Sequence, residues 1–228
     1  MTLDGGASIG ASAACLASAV PGVRVVPVAP EAANFVLLRR NTRGPAAECR
    51  HAALAGRPGR ARIIDPGEGA WSFHVTVTEG GGGVPRVTVG GLPDEFAGEA
   101  FPFLVKPAIE GASGVTSGDT SWVERVPVIV IELRDWLSPA SGTARPFLQR
   151  VAALDRDFVQ NRGECDFRAT GLSATVRPGG PDENPAPIEN LKTELPAVGR
   201  APALTAASGI LAALSRVPDH VSSPTGRD

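Results

Sequence analysis

The chain has 228 residues, of which 43% are hydrophobic and 20% charged, enough for one well-buried α/β domain of ordinary globular composition. The net charge is -2, so the sequence offers no electrostatic basis for binding nucleic acid or an anionic membrane. No apolar run approaches the roughly 20 residues that a transmembrane helix needs. Cys15, Cys49 and Cys165 fit neither a disulfide framework nor a zinc spacing, so we expect a reducing, cytoplasmic location.

The chain opens on a glycine-rich turn. Residues 3–10 predict a very short strand that runs into this turn, and residues 10–20, which are small and lack proline, predict a helix. Pro21-Gly22 ends that helix. The β-branched run Val23–Val28 predicts a strand buried on both faces, although Pro27 removes one ladder donor from it.

Helices and short strands then alternate along the chain. Further predicted strands lie at Ala61–Ile64, Trp71–Thr78, Pro85–Val89, Phe101–Ile109 and Val126–Leu133. Further predicted helices lie at Glu31–Asn41, Asp119–Arg125 and Phe147–Phe158, the last with Leu148, Val151, Leu154 and Phe158 on one face. This alternation predicts a mostly parallel sheet with right-handed crossovers, in which ligands bind at the carboxyl ends of the strands.

The composition changes beyond about residue 171. Pro, Gly, Ser and Thr become frequent there, and the apolar periodicity fades apart from one short helical pattern at Leu204–Val217. The sequence therefore predicts an α/β domain over residues 1–171, followed by a Pro/Gly-rich tail over residues 172–228 that is poorly ordered or loosely docked.

Four motifs occur in a specific order. They are Asp-x-Gly-Ala-x-x-Gly at 4–10, Val-Val-Pro-Val-Ala-Pro at 25–30 with Asn34 and Asn41, Phe-Leu-Val-Lys-Pro-Ala-Ile-Glu-Gly-Ala at 103–112, and Val-Ile-Val-Ile-Glu-Leu at 128–133. Over residues 3–167 this series resembles the FkbM family of S-adenosylmethionine-dependent methyltransferases. The resemblance implies a class I methyltransferase (Rossmann-like) three-layer sandwich with a mostly parallel sheet. It also implies O-methylation of a small-molecule or sugar hydroxyl.

The glycine turn is the expected cofactor site. The cofactor-binding residues that the resemblance implies are Asp4, Gly6, Ala7, Gly10, Ala29 and Asn34. Glycines 6 and 10 would let the backbone approach the methionine part of the cofactor, and the N–H groups of the turn would donate to its carboxylate. Asp4 would either hold the turn or meet the cofactor's ammonium group. A plain tight turn with a structural aspartate is the alternative.

Two acids of the family pattern are alanine in this chain. The second strand of the family ends in a glutamate that grips both ribose hydroxyls, and Ala29 stands at that position. An aspartate near the transferred methyl is replaced by Ala108, and a further glutamate by Ser113. Glu31, two residues beyond Ala29, would substitute only if the loop shifted. These replacements predict an impaired enzyme or a catalytically inactive methyltransferase-like scaffold.

The catalytic candidates are Glu110 and Lys106. Glu110 would act as general base on the acceptor hydroxyl, or else cap the next helix, and Lys106 would pair with it. Glu132 would line the site, and Asp135-Trp136 would shape the acceptor pocket, unless Trp136 belongs to the core. His51, His74 and His220 show no metal-ligand spacing.

The expected partner is a small molecule that carries the acceptor hydroxyl, without nucleic acid or a membrane. A nicotinamide-dependent Rossmann enzyme is a second alternative function. The sequence predicts neither the identity of the acceptor nor the oligomeric state.

Overall fold

The computed structural model describes residues 1–19, 22–67, 73–78, 80–95, 103–107, 115, 118–131, 133, 142, 144–161 and 164–169. Its strands are β1 Thr2–Gly5, β2 Val25–Ala29, β3 Arg50–His51, β4 Ala53–Ala55, β5 Gly59–Ile64, β6 His74–Thr78, β7 Val84–Thr88, β8 Leu104–Pro107, β9 Val128–Ile131, β10 Arg156–Asn161 and β11 Glu164–Ala169. Its helices are α1 Ala11–Ala19, α2 Ala32–Asn41, α3 Gly91–Glu95, α4 Trp122–Arg125 and α5 Arg145–Ala152. None of the helices in these ranges is long and apolar enough to cross a bilayer.

The larger of two sheets has seven strands in the order β10-β11-β9-β8-β1-β2-β3. The five strands β1, β2, β3, β8 and β9 are parallel to one another. Strand β11 runs antiparallel to both β9 and β10. The expected α/β fold with a mostly parallel sheet is therefore confirmed, and it is compatible with a Rossmann-like architecture.

Helices cover both faces of this sheet. One hydrophobic cluster joins the sheet to α1 and α2, and it includes Val25, Leu104, Leu16 and Leu38. A second cluster joins the opposite face to α4 and α5, and it includes Leu3, Ile129, Trp122 and Phe147. Because successive strand residues point to opposite faces, strands packed on both sides must be apolar at nearly every position. All five residues of β2 are buried, as the sequence predicts for this segment.

Pro27 interrupts the pairing between β2 and β3. On that side of β2, the Val25 N–H donates to Ala46, and the Val25 carbonyl accepts from Glu48. The next donor on the same side of a parallel ladder would be the nitrogen of Pro27, which carries no hydrogen. Pairing resumes only where Val28 and Ala29 lie beside β3.

A second, four-stranded sheet is inserted between β3 and β8 in the chain, with the order β4-β7-β5-β6. Strand β4 is parallel to β7, whereas β5 is antiparallel to both of its neighbours. This sheet reaches the end of β1, because a Cβ built on Gly5 would lie 2.3 Å from Leu54 Cδ2. The sequence pattern predicts β5, β6 and β7 but misses the very short β3 and β4.

The prediction of one helix over Phe147–Phe158 is wrong at its end. Helix α5 stops at Ala152, and Phe158 belongs to β10 with 57% of its surface exposed. The helical spacing of apolar residues is outweighed there by antiparallel pairing of β10 with β11. The Arg156 guanidinium donates to the carbonyls of Pro127 and Val126 and so fixes the start of β10.

Other predicted elements are found within shorter bounds. Strand β8 lies inside the predicted Phe101–Ile109, α4 inside Asp119–Arg125, and β9 inside Val126–Leu133. The expected tail at 172–228, its helical pattern at Leu204–Val217 and the domain boundary near residue 171 lie outside the described residues.

Candidate functional site

The order of the strands defines where a ligand is expected. The chain passes from β1 to β2 and β3 on one side, and β8 then pairs with β1 on the other side. Such a reversal opens a crevice at the carboxyl ends of the strands, where α/β proteins bind their ligands. Asp4 of β1 and Lys106 of β8 lie in register beside this crevice. Asp4 and Lys106 are therefore neighbours on paired strands, and their membership of one ligand site stays a prediction.

Asp4 is a fully buried carboxylate that is only partly satisfied. Its side chain is 0% exposed, and its Oδ2 atom accepts a 2.6 Å hydrogen bond from Ser12 Oγ of α1. Its Oδ1 atom is buried and has no hydrogen-bond partner within the part of the chain that the structure describes. Burial raises the pKa of Asp4, whereas the charge of Lys106 and the hydrogen bond from Ser12 lower it. An unpaired buried carboxylate oxygen is costly, so it marks a place for a donor or a cation.

The N–H groups of the glycine turn are already engaged. Those of Gly6 and Ala7 both donate to the carbonyl of Val28 at 3.0 Å, and that of Gly10 donates to Ala7 at 2.7 Å. These three groups are therefore not free, contrary to the expectation that they donate to a cofactor carboxylate. The turn does need its glycines, because φ is 77° at Gly6 and 89° at Gly10.

Helix α2 supports the turn from the side. A Cβ built on Gly10 would lie 2.6 Å from Leu38 Cδ1 and 3.3 Å from Leu38 Cα. Asn41 Nδ2 donates a 2.8 Å hydrogen bond to the carbonyl of Ile9. The close approach at Gly10 is thus made by α2. The need for glycine at this position arises from packing within the chain.

The end of β2 is apolar. Ala29 is 0% exposed and belongs to the cluster beneath α1 and α2. Glu31 caps α2, with one carboxylate oxygen accepting from the Ala33 N–H at 2.9 Å and the other from the Asn34 N–H at 2.6 Å. Asn34 itself is buried in the first turn of α2. Glu31 is therefore committed to the helix and does not replace the acid that Ala29 lacks.

A histidine that sequence reasoning left out stands at this same edge. His51 ends β3 and is the register partner of Ala29. Its Nε2 atom lies 3.0 Å from the carbonyl oxygen of Pro30. Its ring stacks on Phe35 of α2, with ring centroids 4.7 Å apart and planes inclined by 18°. A two-residue strand has no period that could have indicated this placement.

Several predicted site residues lie outside the described residues. These are Glu110, Ala108, Ser113, Glu132, Asp135 and Trp136. Lys106 is the one catalytic candidate that the structure describes, and its pairing with Glu110 stays a prediction. Within the described ranges, no cluster of three or more His, Cys, Asp or Glu side chains could hold a metal ion.

An open groove of about 430 Å³ lies along α2 and beside β3. Its lining includes Phe35, Arg39, Arg43, Glu48 and Cys49. None of the described turn residues lines it. Arginines near the last turn of a helix are favoured by the helix dipole without any ligand, so Arg39 and Arg43 do not by themselves indicate a ligand.

Comparison of the chain with protein-family models and with curated proteins finds no match.

Proposed function

We propose that this chain is an S-adenosylmethionine-dependent O-methyltransferase that acts on a hydroxyl of a small molecule or sugar. The proposal joins the resemblance to the FkbM family with two structural features. One is the arrangement of the large sheet, and the other is the buried carboxylate at the end of β1.

The strand order supports a methyltransferase-like sandwich. Numbered along the chain within the large sheet alone, the strands stand in the order 3-2-1-4-5-7-6, and the seventh is antiparallel to its neighbours. The resemblance implies a seven-stranded class I methyltransferase sandwich, and the large sheet has this number of strands. The first strand lies inside the parallel array, as binding of a cofactor at its carboxyl end requires.

The unpaired Oδ1 of Asp4 is the observation on which the proposal depends most. This oxygen lies near the carboxyl end of β1, where α/β folds bind their ligands, and the α-ammonium of S-adenosylmethionine is a cationic donor that would satisfy it. Ser12 fixes the orientation of the carboxylate by donating to its other oxygen. When bound, the cofactor supplies an activated methyl group on its sulfonium. The task of the chain is then to position that group and the acceptor oxygen in line.

The ribose end of the site fits this cofactor less well. A carboxylate that accepts from both ribose hydroxyls would contribute about 1.5–3 kcal/mol for each charge-assisted hydrogen bond, and Ala29 contributes none. This observation favours a second candidate, a methyltransferase-like scaffold that has lost its cofactor.

Calorimetric titration with S-adenosylhomocysteine separates the two candidates. Binding in the micromolar range is expected for an enzyme, whereas no heat at millimolar ligand would support the scaffold and overturn the first proposal. A parallel titration followed by NADH fluorescence tests the nicotinamide alternative. Saturable NADH binding without S-adenosylhomocysteine binding would replace the methyltransferase proposal.

A further inference from the structure

We infer that His51 and Phe35 form the subsite for the nucleoside half of the ligand, with His51 Nδ1 accepting a hydrogen from a ribose hydroxyl in place of the missing acid. The inference rests on the proposed function, because it concerns the same ligand. It names residues that the resemblance does not assign.

His51 stands next to the position at which the family carries its ribose-binding acid. His51 and Ala29 are register partners at the last residues of two adjacent parallel strands. Register partners in a sheet direct their side chains to the same face. The His51 ring therefore stands beside the place from which a side chain longer than that of Ala29 would reach the ligand. Of this pair, only His51 carries a polar side chain, and it is exposed, so His51 is the one that can form a hydrogen bond with a ligand.

The contact with Pro30 determines which nitrogen of the His51 ring carries the hydrogen. A carbonyl oxygen can only accept, so the 3.0 Å contact with Pro30 requires that Nε2 carries the hydrogen. In a neutral imidazole, Nδ1 is then an acceptor. An acceptor is what a hydroxyl donor of a ribose needs, and it is the role that a carboxylate would have filled.

Two contacts hold the His51 ring in place. The His51 ring is held by the Pro30 carbonyl at one nitrogen and by the near-parallel ring of Phe35, at a centroid distance of 4.7 Å. Phe35 in turn packs against the core cluster beneath α2. A ring fixed at two points loses little conformational entropy when it binds a ligand. One neutral acceptor replaces a bidentate charged one, so nucleoside binding is retained but weaker.

Half-ligands provide the test. 5′-Methylthioadenosine carries the nucleoside without the amino-acid group, and L-homocysteine carries the amino-acid group without the nucleoside. His51→Phe keeps an aromatic ring but removes the acceptor. We expect it to raise the Kd for 5′-methylthioadenosine roughly 3–10-fold and to leave that for L-homocysteine unchanged. His74→Phe, on the exposed strand β6 of the second sheet, is the matched control and should change neither affinity.

A measurement on the wild-type chain tests the same inference even if the His51→Phe variant fails to fold. In histidine labelled with ¹⁵N, 5′-methylthioadenosine should shift the Nδ1 resonance of His51 and leave that of His74 in place. Equal affinity of His51→Phe and wild type for 5′-methylthioadenosine, or an unmoved Nδ1 resonance at saturation, would overturn the inference. Both outcomes leave the proposed function intact if S-adenosylhomocysteine binds. If S-adenosylhomocysteine does not bind the wild type at all, the proposed function fails first.

Discussion

The carboxyl ends of β1 and β2 are neighbours in one sheet, yet they differ in polarity. The last residue but one of β1 is Asp4, a buried carboxylate with one oxygen unpartnered within the described residues. Strand β2 ends on Ala29, which is equally buried and purely apolar. Keeping an ionisable group at 0% exposure costs stability, whereas the alanine costs none. Under the proposed function, charged recognition is concentrated on the amino-acid half of the ligand, and the nucleoside half depends on neutral groups.

The largest effect is expected from Gly10→Ala, which tests whether the turn beside Asp4 is held by α2. The new Cβ would lie 2.6 Å from Leu38 Cδ1 at a φ of 89°. Left-handed strain and overpacking together should lower the free energy of unfolding by about 2–5 kcal/mol. Thermal or urea unfolding measures this change.

Gly22→Ala is the control for that experiment. Gly22 also has a positive φ, 76°, but nothing lies within 4 Å of its built Cβ. It should cost about 1–2 kcal/mol through backbone strain alone. Equal losses in the two variants would show that α2 does not constrain the turn.

The next largest effect is expected on ligand affinity, from a substitution of Asp4 near the carboxyl end of β1. Asp4→Asn keeps an acceptor for Ser12 but removes the charge. It should raise the Kd for S-adenosylhomocysteine by about 10–150-fold, because one charged hydrogen bond is lost. Asp65 is exposed and accepts a hydrogen bond from the Gly67 N–H, so Asp65→Asn serves as a control that should bind normally. Unchanged affinity in Asp4→Asn would remove Asp4 from the site.

The role of position 29, at the end of β2, can be tested by introducing the glutamate that the family pattern has there. Ala29→Glu, alone or with Ala108→Asp, should tighten S-adenosylhomocysteine binding about 10–100-fold through new charge-assisted hydrogen bonds to the ribose. Because residue 29 is fully buried, the same change should lower the melting temperature of the free protein. Ala29→Gln has nearly the same size without the charge. Equal affinities of the Glu and Gln variants would contradict a ribose-binding role for this position.

The smallest effect is the pH dependence of stability. Since burial raises the pKa of Asp4, the native state binds more protons than the unfolded state between the usual carboxyl pKa and the raised one. The contribution of Asp4 to stability is therefore full below the unfolded pKa and is lost as pH rises through the folded pKa. In that window, the stability of Asp4→Asn relative to wild type should increase by at most about 1.4 kcal/mol per pH unit. Denaturant unfolding at several pH values measures it, and a decrease would mean that the pKa of Asp4 is lowered.

The parts of the fold that follow from local chemistry were predictable. The apolar run of β2 and the helix from Glu31 gave elements close to Val25–Ala29 and Ala32–Asn41, because burial on two faces and a capping residue leave clear patterns. The two-residue β3 and the hairpin of β10 and β11 depend on tertiary pairing, which no short pattern reveals.

The residues of the candidate site also differ in how far local sequence patterns could predict them. Asp4 and Lys106 were predicted as site residues from motifs; they are register partners across β1 and β8, and their roles stay predictions. Glu31 was considered as a substitute acid, but its side chain caps α2, a local use that sequence alone leaves open. Sequence analysis considered His51 only as a metal ligand, because its place beside Ala29 and its stacking on Phe35 depend on residues distant from it in sequence.

The contact between Gly5 and Leu54 joins the two sheets at the carboxyl end of β1. Because a Cβ at residue 5 would stand 2.3 Å from Leu54 Cδ2, a larger residue at position 5 requires that the Leu54 side chain moves or is replaced by a smaller one. Substitutions at positions 5 and 54 should therefore occur together in related sequences. A chimaera that takes the inserted sheet from elsewhere must bring a compatible partner for Gly5, or it will distort the first strand.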